Sequence, residues 1–293
     1  MTLQERLEAF WQWLRKTSAE LADLRLGGRR LGDLRPADVG LDAAHLGPLL
    51  TDLRVGVAFY TRIPLAGPPI DGAALARAAW CAPLVGALIG ALAGLAFFIA
   101  WRLNLSPFVC GTLAVGTGLA LTGALHEDGL ADMADGFGGE DREQALAIMR
   151  DGRIGVFGAC ALAIALFLRI GALSDLPNPA LAAWALIGAH AAARAGLPLF
   201  MGLVPPARPD GLSATTGAPS GVSVAVAAAL GFLLLARALG LRSALIALVL
   251  MLAGGLVIAV MAWRRIGGQT GDVLGAVEQM GECLVLLVAA AMF

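Results

Sequence analysis

Residues 78–101 read A-A-W-C-A-P-L-V-G-A-L-I-G-A-L-A-G-L-A-F-F-I-A-W. This stretch contains no charged side chain and exceeds the roughly 20 residues that a helix needs to cross a bilayer. Within it, Gly86, Gly90 and Gly94 recur every four residues, so they lie on one face of a helix. A stripe of small residues lets a second helix approach closely in lipid. The stretch therefore predicts a membrane-spanning helix that packs tightly against another helix.

The rest of the chain has the same apolar character. Of its 293 residues, 58% are hydrophobic and 15% are charged, and the mean hydropathy is +0.78. Soluble domains carry about 25% charged residues, so this composition predicts an integral membrane protein. We expect an all-α, polytopic bundle of about six or seven transmembrane helices. The further candidate spans are 108–125, 154–173, 180–204, 221–236, 243–263 and a seventh that would begin near residue 276.

Composition also argues against several classes of protein. The net charge is −1 and no basic patch is interleaved with aromatic residues, so no nucleic-acid partner is expected. The four cysteines lie in apolar stretches without metal-ligand spacing, and we interpret them as core residues. Residues 1–50 mix acids and bases and contain no signal peptide. We interpret 1–50 as an appended segment, amphipathic around Phe10 and Trp13, and 51–293 as the membrane-embedded catalytic domain.

The distribution of arginine and lysine predicts the orientation in the membrane. With the N-terminus in the cytoplasm, sixteen basic residues lie on the cytoplasmic side. Four fall on the opposite side, counting Arg169 near a helix end, and Arg194 lies within a span. The positive-inside rule favours this arrangement. It places the loops around 128, 205–220 and 264–281 on one cytoplasmic face, where they can form a single site.

The first of these loops carries an unusual acidic pattern, T-G-A-L-H-E-D-G-L-A-D-M-A-D-G-F-G-G, at residues 122–139. On a helix, Asp128, Asp132 and Asp135 lie within about 60° of one another around the axis. Three carboxylates on one stripe repel unless a cation lies among them. A hard divalent cation, Mg²⁺ above all, fits this need, and Mg²⁺ commonly binds substrate phosphates. The alternative is a solvated acidic loop. His126 is a general-base candidate only if the helix starts after it.

Other residues of the three loops are candidates for binding phosphate. Arg153 precedes a span and could hold a phosphate or extend to lipid headgroups. Arg208 and Asp210 lie in a proline-rich loop that suits ligand contact but also reads as a common turn. Thr270 and Asp272 lie in a glycine-rich loop that can expose backbone N–H groups, although it lacks the ending of a P-loop.

Charged residues also occur inside the predicted spans. His190 and Arg194 share a helix face, and Glu278 and Glu282 share another. Charges at this depth are costly and tend to be functional. Because Arg194 cannot lose its charge, it needs an anion, either a protein carboxylate or a substrate phosphate. We count Arg194 and Glu278 among the candidate substrate-binding residues.

Five motifs in order resemble the cobalamin synthase family, the adenosylcobinamide-GDP ribazoletransferases. Together they span about residues 51–293, and Arg62 in the first motif joins the substrate-binding candidates. The motifs are F-Y-T-R-I-P (59–64), T-G-A-L-H-E-D-G-L-A-D-M-A-D-G (122–136), M-R-D-G-R-I-G-V-F-G (149–158), A-R-P-D-G-L (207–212) and G-G-Q-T-G-D-V-L-G-A (267–276).

The resemblance implies a multi-pass, Mg²⁺-dependent enzyme of the bacterial inner membrane. Its substrates would be adenosylcobinamide-GDP and α-ribazole (or its 5′-phosphate), and its products adenosylcobalamin (or its 5′-phosphate) and GMP. Our hypothesis is that Asp128, Asp132 and Asp135 hold Mg²⁺ against the pyrophosphate. Arg153 and Arg208 would neutralise charge on the phosphoryl group and on GMP. Besides the lipid bilayer, the partners to consider are other corrinoid-pathway enzymes and further copies of the chain.

Two other functions remain alternatives at this point. A CDP-alcohol phosphotransferase also uses spaced aspartates on membrane helices, but its motif has Arg where this chain has Asp132, and the later spacing differs. An ion-coupled transporter could use His190, Arg194 and Glu282. Against it, the densest acidic cluster lies in a loop and not at the membrane midplane, where transporters bind their substrates.

Overall fold

A computed structural model of the chain describes residues 43–67 and 69–293, and scattered positions before residue 43 (8, 11, 12, 15, 16, 18–20, 23, 25, 26, 29 and 30). The predicted amphipathic segment around Phe10 and Trp13 lies outside the described residues. Two short strands, β1 (Arg25–Leu26) and β2 (Arg29–Arg30), pair antiparallel near the N-terminus.

From residue 43 onward the chain is helical with short connections, and the predicted all-α fold is confirmed. The boundary that we place between residues 50 and 51 falls inside the first helix, Ala43–Tyr60. A 3₁₀ turn at Ala79–Cys81 joins the second helix to the third. The helices are α1 (Ala43–Tyr60), α2 (Gly72–Ala78), α3 (Ala82–Arg102), α4 (Pro107–Thr122), α5 (Leu125–Phe137), α6 (Arg142–Ile148), α7 (Val156–Ser174), α8 (Pro179–Leu203), α9 (Leu212–Thr216), α10 (Gly221–Ile266) and α11 (Gly271–Met292).

Several of these helices are suited to crossing a membrane. Among the described residues, five are long and apolar enough, and the bent pair α4 and α5 makes a sixth candidate. Helix α10 has 46 residues. A straight helix of that length would measure about 69 Å, more than twice the roughly 30 Å of the hydrocarbon core. Gly240 breaks it, with φ 78° and ψ 159°. The two halves correspond to the spans predicted at 221–236 and 243–263.

The glycine stripe of α3 packs against α8, as its spacing predicts. A Cβ on Gly86 would overlap the carbonyl oxygen of His190, and one on Gly90 would overlap that of Leu186. A Cβ on Gly94 would lie 2.8 Å from Cα of Ala183. The two backbones are therefore in close contact at three positions spaced about one helical turn apart. Such contact supplies the van der Waals packing that holds helices together in lipid.

A sharp bend separates α4 from α5 and positions the acidic motif. Gly123 and Ala124 both adopt left-handed conformations, with φ 66° and φ 58°. The axes of α4 and α5 differ by 91°. The span predicted to continue to residue 125 therefore ends at Thr122, and α5 turns away from the direction of α4 and packs against α11.

Replacing Gly90 tests the helix contact. We expect Gly90→Ala to destabilise the protein by about 1–3 kcal/mol, because the added methyl group meets backbone that cannot rotate away. Thermal unfolding in detergent measures this. The control is Gly116→Ala on α4, where the Cβ position is open, and alanine there should be neutral or slightly stabilising. Equal melting temperatures for the two variants would contradict the packing described.

Candidate active site

The contact between α5 and α11 brings two acidic segments together. A Cβ on Gly129 would lie 3.0 Å from Cα of Asp272, and one on Gly275 would lie 2.8 Å from the carbonyl oxygen of His126. Only residues without a side chain allow this approach at both positions. As a result, the first turn of α11 lies beside the exposed Asp128.

Three carboxylates form the acidic cluster that results, namely Asp128, Asp132 and Asp272. Asp132 is half-buried and interacts electrostatically with both of the others, and Asp128 and Asp272 interact with each other. Thr270 caps α11 by accepting from the N–H of Val273 at 3.4 Å, and its hydroxyl donates to Asp272 Oδ2 at 3.0 Å. These contacts orient Asp272 at the helix start. Asp272 was predicted to bind substrate, and the structure adds it to the acidic stripe.

Asp135, the third residue of the predicted stripe, has a different role. It is buried, and its two oxygens accept from the N–H groups of Gly155 at 2.7 Å and Gly158 at 2.8 Å. These donors belong to the first turn of α7, so Asp135 caps that helix from outside. Both oxygens of this buried carboxylate are thus directed at backbone N–H groups of another helix. The geometry gives no support to its predicted role as a metal ligand.

The three loops predicted to share a face do meet. Ala207 N–H donates to the carbonyl of Gln269 at 2.8 Å, and Gln269 N–H donates to that of Pro205 at 2.8 Å. Arg142 ties the α6 segment to both, donating to the carbonyl of Ala207 at 2.6 Å and to that of Ile266 at 2.9 Å. The proline-rich loop is thereby held against the start of α11.

A cavity of about 290 Å³ opens beside the acidic cluster. Arg208 lines it, with Nη2 lying 4.0 Å from Asp272 Oδ2. Two other nitrogens of Arg208, Nε and Nη1, are buried and have no hydrogen-bond partner among the described residues. A buried N–H without an acceptor is costly, so this guanidinium is prepared for an anion that the protein does not itself supply. The polar lining residues are Tyr60, His126, Asp128, Arg208, Ser213, Thr216 and Asp272.

Three other predicted site residues lie outside the cavity lining. Arg153 is exposed and donates to Asp151 Oδ1 at 3.0 Å, and these hydrogen bonds hold the pKa of the Asp151 carboxyl below its usual value. Asp210 is exposed and pairs with Arg150 at 2.5 Å. Arg62 is exposed, and its side chain lies against Gly123 at the bend between α4 and α5.

Arg194 and Glu278, predicted to bind substrate, instead bind each other in the interior. Arg194 Nη1 lies 2.5 Å from Glu278 Oε1 and 2.9 Å from Glu282 Oε1. All three side chains are fully or almost fully buried, and His190 Nδ1 makes a close contact with the same Glu282 oxygen. Of the two anions considered for Arg194, the structure therefore provides the protein carboxylates. The prediction that Arg194 and Glu278 contact substrate is not supported.

The same network contains two residues whose role the sequence did not reveal. Arg169 Nη1 lies 3.1 Å from Glu127 Oε1 and 2.9 Å from Glu282 Oε2. Arg169 lies five residues before the end of α7 (Val156–Ser174), but its side chain is 4% exposed, so it belongs to the interior and not to the loop beyond. An arginine inside an apolar span needs an internal carboxylate, and this signal, already used for Arg194, would have identified it.

His126 connects the buried network to the cavity. Its Nδ1 lies 3.4 Å from Glu278 Oε2 and 3.4 Å from Arg194 Nη2. Its ring lies 5.8 Å from that of Tyr60, and both residues line the cavity. Helix α5 begins at Leu125, so the condition stated for His126 as a base, a helix that starts after it, is not met. Its side chain nevertheless lines the same cavity as Asp128. That role remains a prediction.

Two clusters of acidic side chains among the described residues differ in how well they suit a cation. Ligand atoms of His190, Glu278 and Glu282 lie within 4.8 Å of one another. The guanidinium of Arg194 already contacts both of these glutamates, so a metal ion there would meet a fixed positive charge. Asp128, Asp132 and Asp272 offer only oxygen ligands, with Arg208 as the cation at their edge. Hard oxygen donors at a partly exposed site suit Mg²⁺.

Comparison with known proteins gives a consistent result. The profile of the family described as "Cobalamin-5-phosphate synthase" matches residues 52–290. A protein of Bradyrhizobium diazoefficiens named adenosylcobinamide-GDP ribazoletransferase is 54% identical over 246 residues, 83% of this chain and 94% of the relative. Relatives with the same name from Mesorhizobium japonicum and Azorhizobium caulinodans are 45% and 48% identical, over 83% and 82% of this chain and 93% and 95% of their own lengths. No solved structure matches the chain.

Breaking the buried ionic network tests its contribution to stability. We expect Arg169→Met to destabilise the protein by about 3–5 kcal/mol, because Glu127 then lacks its compensating cation. The double variant Arg169→Met/Glu127→Gln removes one charge of each sign and should recover much of that loss. Thermal unfolding in detergent measures both variants. Arg150→Met, which breaks an exposed pair, serves as the control and should change little. A double variant no more stable than the single one would contradict this account.

Proposed function

The chain belongs to the cobalamin-5-phosphate synthase family, and on that premise we propose that it is an adenosylcobinamide-GDP ribazoletransferase. It joins adenosylcobinamide-GDP to α-ribazole (or its 5′-phosphate) and releases GMP. The observation that carries this proposal is the pair of buried, unpartnered nitrogens of Arg208 beside Asp272 of the acidic cluster. That combination is typical of sites that bind phosphate through a cation and a divalent metal.

The chemistry is a phosphoryl transfer. A ribose hydroxyl of the acceptor forms a bond to the phosphorus that carries cobinamide, the bond from that phosphorus to the bridging oxygen breaks, and GMP leaves with the oxygen. The attacking oxygen is not the 5′ oxygen when the acceptor carries a 5′-phosphate through the reaction. Such transfers depend mostly on positioning and on neutralising charge, so carboxylates, a metal ion and an arginine suffice as catalytic groups.

Asp128, Asp132 and Asp272 would hold Mg²⁺, since the contact between α5 and α11 brings these three interacting carboxylates into one partly exposed cluster. Asp272 replaces Asp135 in the ligand set first predicted, because Asp135 is engaged by α7. When bound, Mg²⁺ supplies positive charge against the pyrophosphate oxygens. This metal dependence is part of the proposal.

Arg208 supplies the second positive charge. The free Nε and Nη1 lie on different sides of its planar guanidinium, so each can donate to a separate anion oxygen. The salt bridge to Asp272 is long, at 4.0 Å, so a phosphate can take that position without breaking a tight pair. Arg153, exposed and paired with Asp151, has no phosphate contact in this proposal.

The proton of the attacking hydroxyl needs an acceptor. His126 lines the cavity and is held by Glu278 from the buried side, which keeps its ring in place. The other candidate is a carboxylate of the cluster that the ion leaves free, and Asp128 is exposed and lines the same cavity. We propose one of these two groups as the general base.

We also propose that the protein lies in the inner membrane with this site on the cytoplasmic side. Sixteen basic residues lie in the N-terminal segment and in the loops that carry the site, and the positive-inside rule places such segments in the cytoplasm. Moving Arg169 to the interior leaves the opposite side with even fewer positive charges. GMP would then leave into the compartment that holds the nucleotide pool.

Asp132→Asn tests the acidic cluster. We expect transfer to fall by at least about a hundredfold, because a carboxylate that holds the cation is lost while the shape of the side chain is kept. Product formation from adenosylcobinamide-GDP and α-ribazole by solubilised protein measures this. Asp210→Asn, on an exposed carboxylate outside the cavity, is the control and should retain near-normal activity. Near-normal turnover by Asp132→Asn would overturn the assignment.

Arg208→Gln tests the phosphate contact. We expect a large loss of transfer and weaker binding of GMP, with Arg208→Lys recovering only part of each, because lysine keeps the charge but not the fixed, planar set of donors. Equilibrium dialysis with labelled GMP measures binding independently of turnover. Arg153→Gln is the matched control and should bind GMP as the unmodified protein does. Loss of GMP binding in the Arg153 variant instead would move the phosphate site to the surface loop.

A further inference from the structure

A second cavity lies between α8 and the two halves of α10, and it is called the α8–α10 groove below. Its volume is about 860 Å³, and α11 contributes Val277 and Met280 to its wall. Of the described residues that line it, Arg264 alone carries a charge, and the others are aliphatic, aromatic or glycine. The groove shares no lining residue with the cavity beside the acidic cluster.

The lining residues follow one side of each helix. On α8 and on the second half of α10 they recur every four residues, so each series runs along its helix axis. The two series are Ala192, Gly196, Phe200 and Val204 on α8, and Leu248, Leu252, Leu256, Val260 and Arg264 on α10.

Contacts at both ends fix the order of these residues along the groove. At one end, a Cβ on Gly281 of α11 would lie 3.1 Å from Cβ of Ala193 and 3.2 Å from the methyl group of Met251. At the other end, the loops that follow α8 and α10 meet, because Ala207 N–H donates to the carbonyl of Gln269 at 2.8 Å. The two helices therefore run in the same direction, and the charged end of the groove lies on the side of these loops.

The groove has the length of one membrane leaflet. The distance along α10 from Leu248 to Arg264 is about 24 Å at 1.5 Å per residue. One leaflet with its headgroups is roughly 20 Å thick. Trp263 lines the groove next to Arg264, and tryptophan is enriched at the level of the headgroups. The groove thus extends from headgroup level towards the middle of the bilayer.

The side of the groove is open. Leu203, Leu252 and Leu256 line it and are 44%, 53% and 65% exposed. A Cβ on Gly196 or on Gly255 would meet no atom within 4 Å. Open apolar space inside a bilayer is filled by an acyl chain or by another helix, because close packing is favoured there as it is in a protein interior.

Arg264 distinguishes between these two occupants. Its side chain is exposed, and no carboxylate among the described residues pairs with it or lines the groove. An apolar helix from a second copy of the chain would fill the space without supplying an anion. A long apolar channel with one cation at the headgroup end instead matches an amphiphile with an apolar tail and an anionic head.

We propose that the α8–α10 groove binds one anionic phospholipid, with an acyl chain between α8 and the second half of α10 and the phosphate on Arg264. Since no carboxylate lines the groove, nothing there attracts the ammonium group of a zwitterionic lipid. The bound lipid fills the gap beside the half of α10 that leads to the loop before Asp272.

Arg264→Gln tests the headgroup contact. We expect the full chain, delipidated in detergent, to bind one phosphatidylglycerol tightly, and Arg264→Gln to weaken this binding about tenfold. Native mass spectrometry during a lipid titration measures stoichiometry and affinity. Arg242→Gln changes an exposed arginine at the opposite end of the same half of α10, so this control should bind as the unmodified protein does. Unweakened binding by Arg264→Gln, or equal affinity of the unmodified protein for phosphatidylcholine, would overturn the proposal.

Gly255→Leu tests the position of the acyl chain. The new side chain enters the groove without meeting protein atoms at its Cβ, and leucine favours the helix more than glycine does, so the fold is kept. We expect phosphatidylglycerol to bind about tenfold more weakly, although Arg264 is intact. Gly116→Leu on α4, where the Cβ position is also open, is the matched control and should leave binding unchanged.

Unchanged lipid binding by Gly255→Leu that elutes as folded protein in gel filtration would contradict the proposal. A dimer that Gly255→Leu dissociates, with no lipid bound to the unmodified protein, would assign the groove to a second copy of the chain instead. None of these measurements depends on phosphoryl transfer, so their failure leaves the proposed function untouched.

Discussion

The buried ionic network of Glu127, Arg169, Arg194, Glu278 and Glu282 is the constraint on which the rest of the structure depends. Charges inside a membrane bundle are expensive and must be paired. Two arginines face three glutamates here, and the five residues belong to four helices, α5, α7, α8 and α11. Sliding any one of these helices along its axis would leave a charge without a partner. The network therefore fixes the relative positions of the helices.

Those same helices carry the groups of the candidate site. Helices α5 and α11 provide Asp128, Asp132 and Asp272, and α8 leads into the loop that presents Arg208. The acidic cluster thus lies at the end of a bundle whose interior is locked by ion pairs. Phosphoryl transfer relies on groups held in fixed positions, and a rigid bundle provides such positions. His126 contacts the buried ionic network on one side and lines the cavity on the other, so it links the network to the candidate site.

Much of this arrangement follows from the sequence, and the exceptions have physical causes. Hydropathy identified the spans, and the glycine spacing of α3 predicted its contact with α8, because both depend on local patterns. The role of Asp135 depends on the N-terminus of α7, about 20 residues further on, and no local pattern shows that contact. The pairing of Asp272 with Asp128 likewise requires the Gly129–Gly275 contact between distant helices. Helical spacing placed Asp128 and Asp132 on one face of α5. Local spacing cannot show which residue of another helix, here Asp272, lies beside them.

The central claim is that cation and phosphate bind at the outer acidic cluster and not in the buried network. A cryo-electron microscopy structure with Mg²⁺ and GMP tests this most directly. The account predicts density for the ion among Asp128, Asp132 and Asp272, with the GMP phosphate in contact with the guanidinium of Arg208. Density for the ion at His190, Glu278 and Glu282, or a phosphate displaced from Arg208 to Arg153, would contradict it.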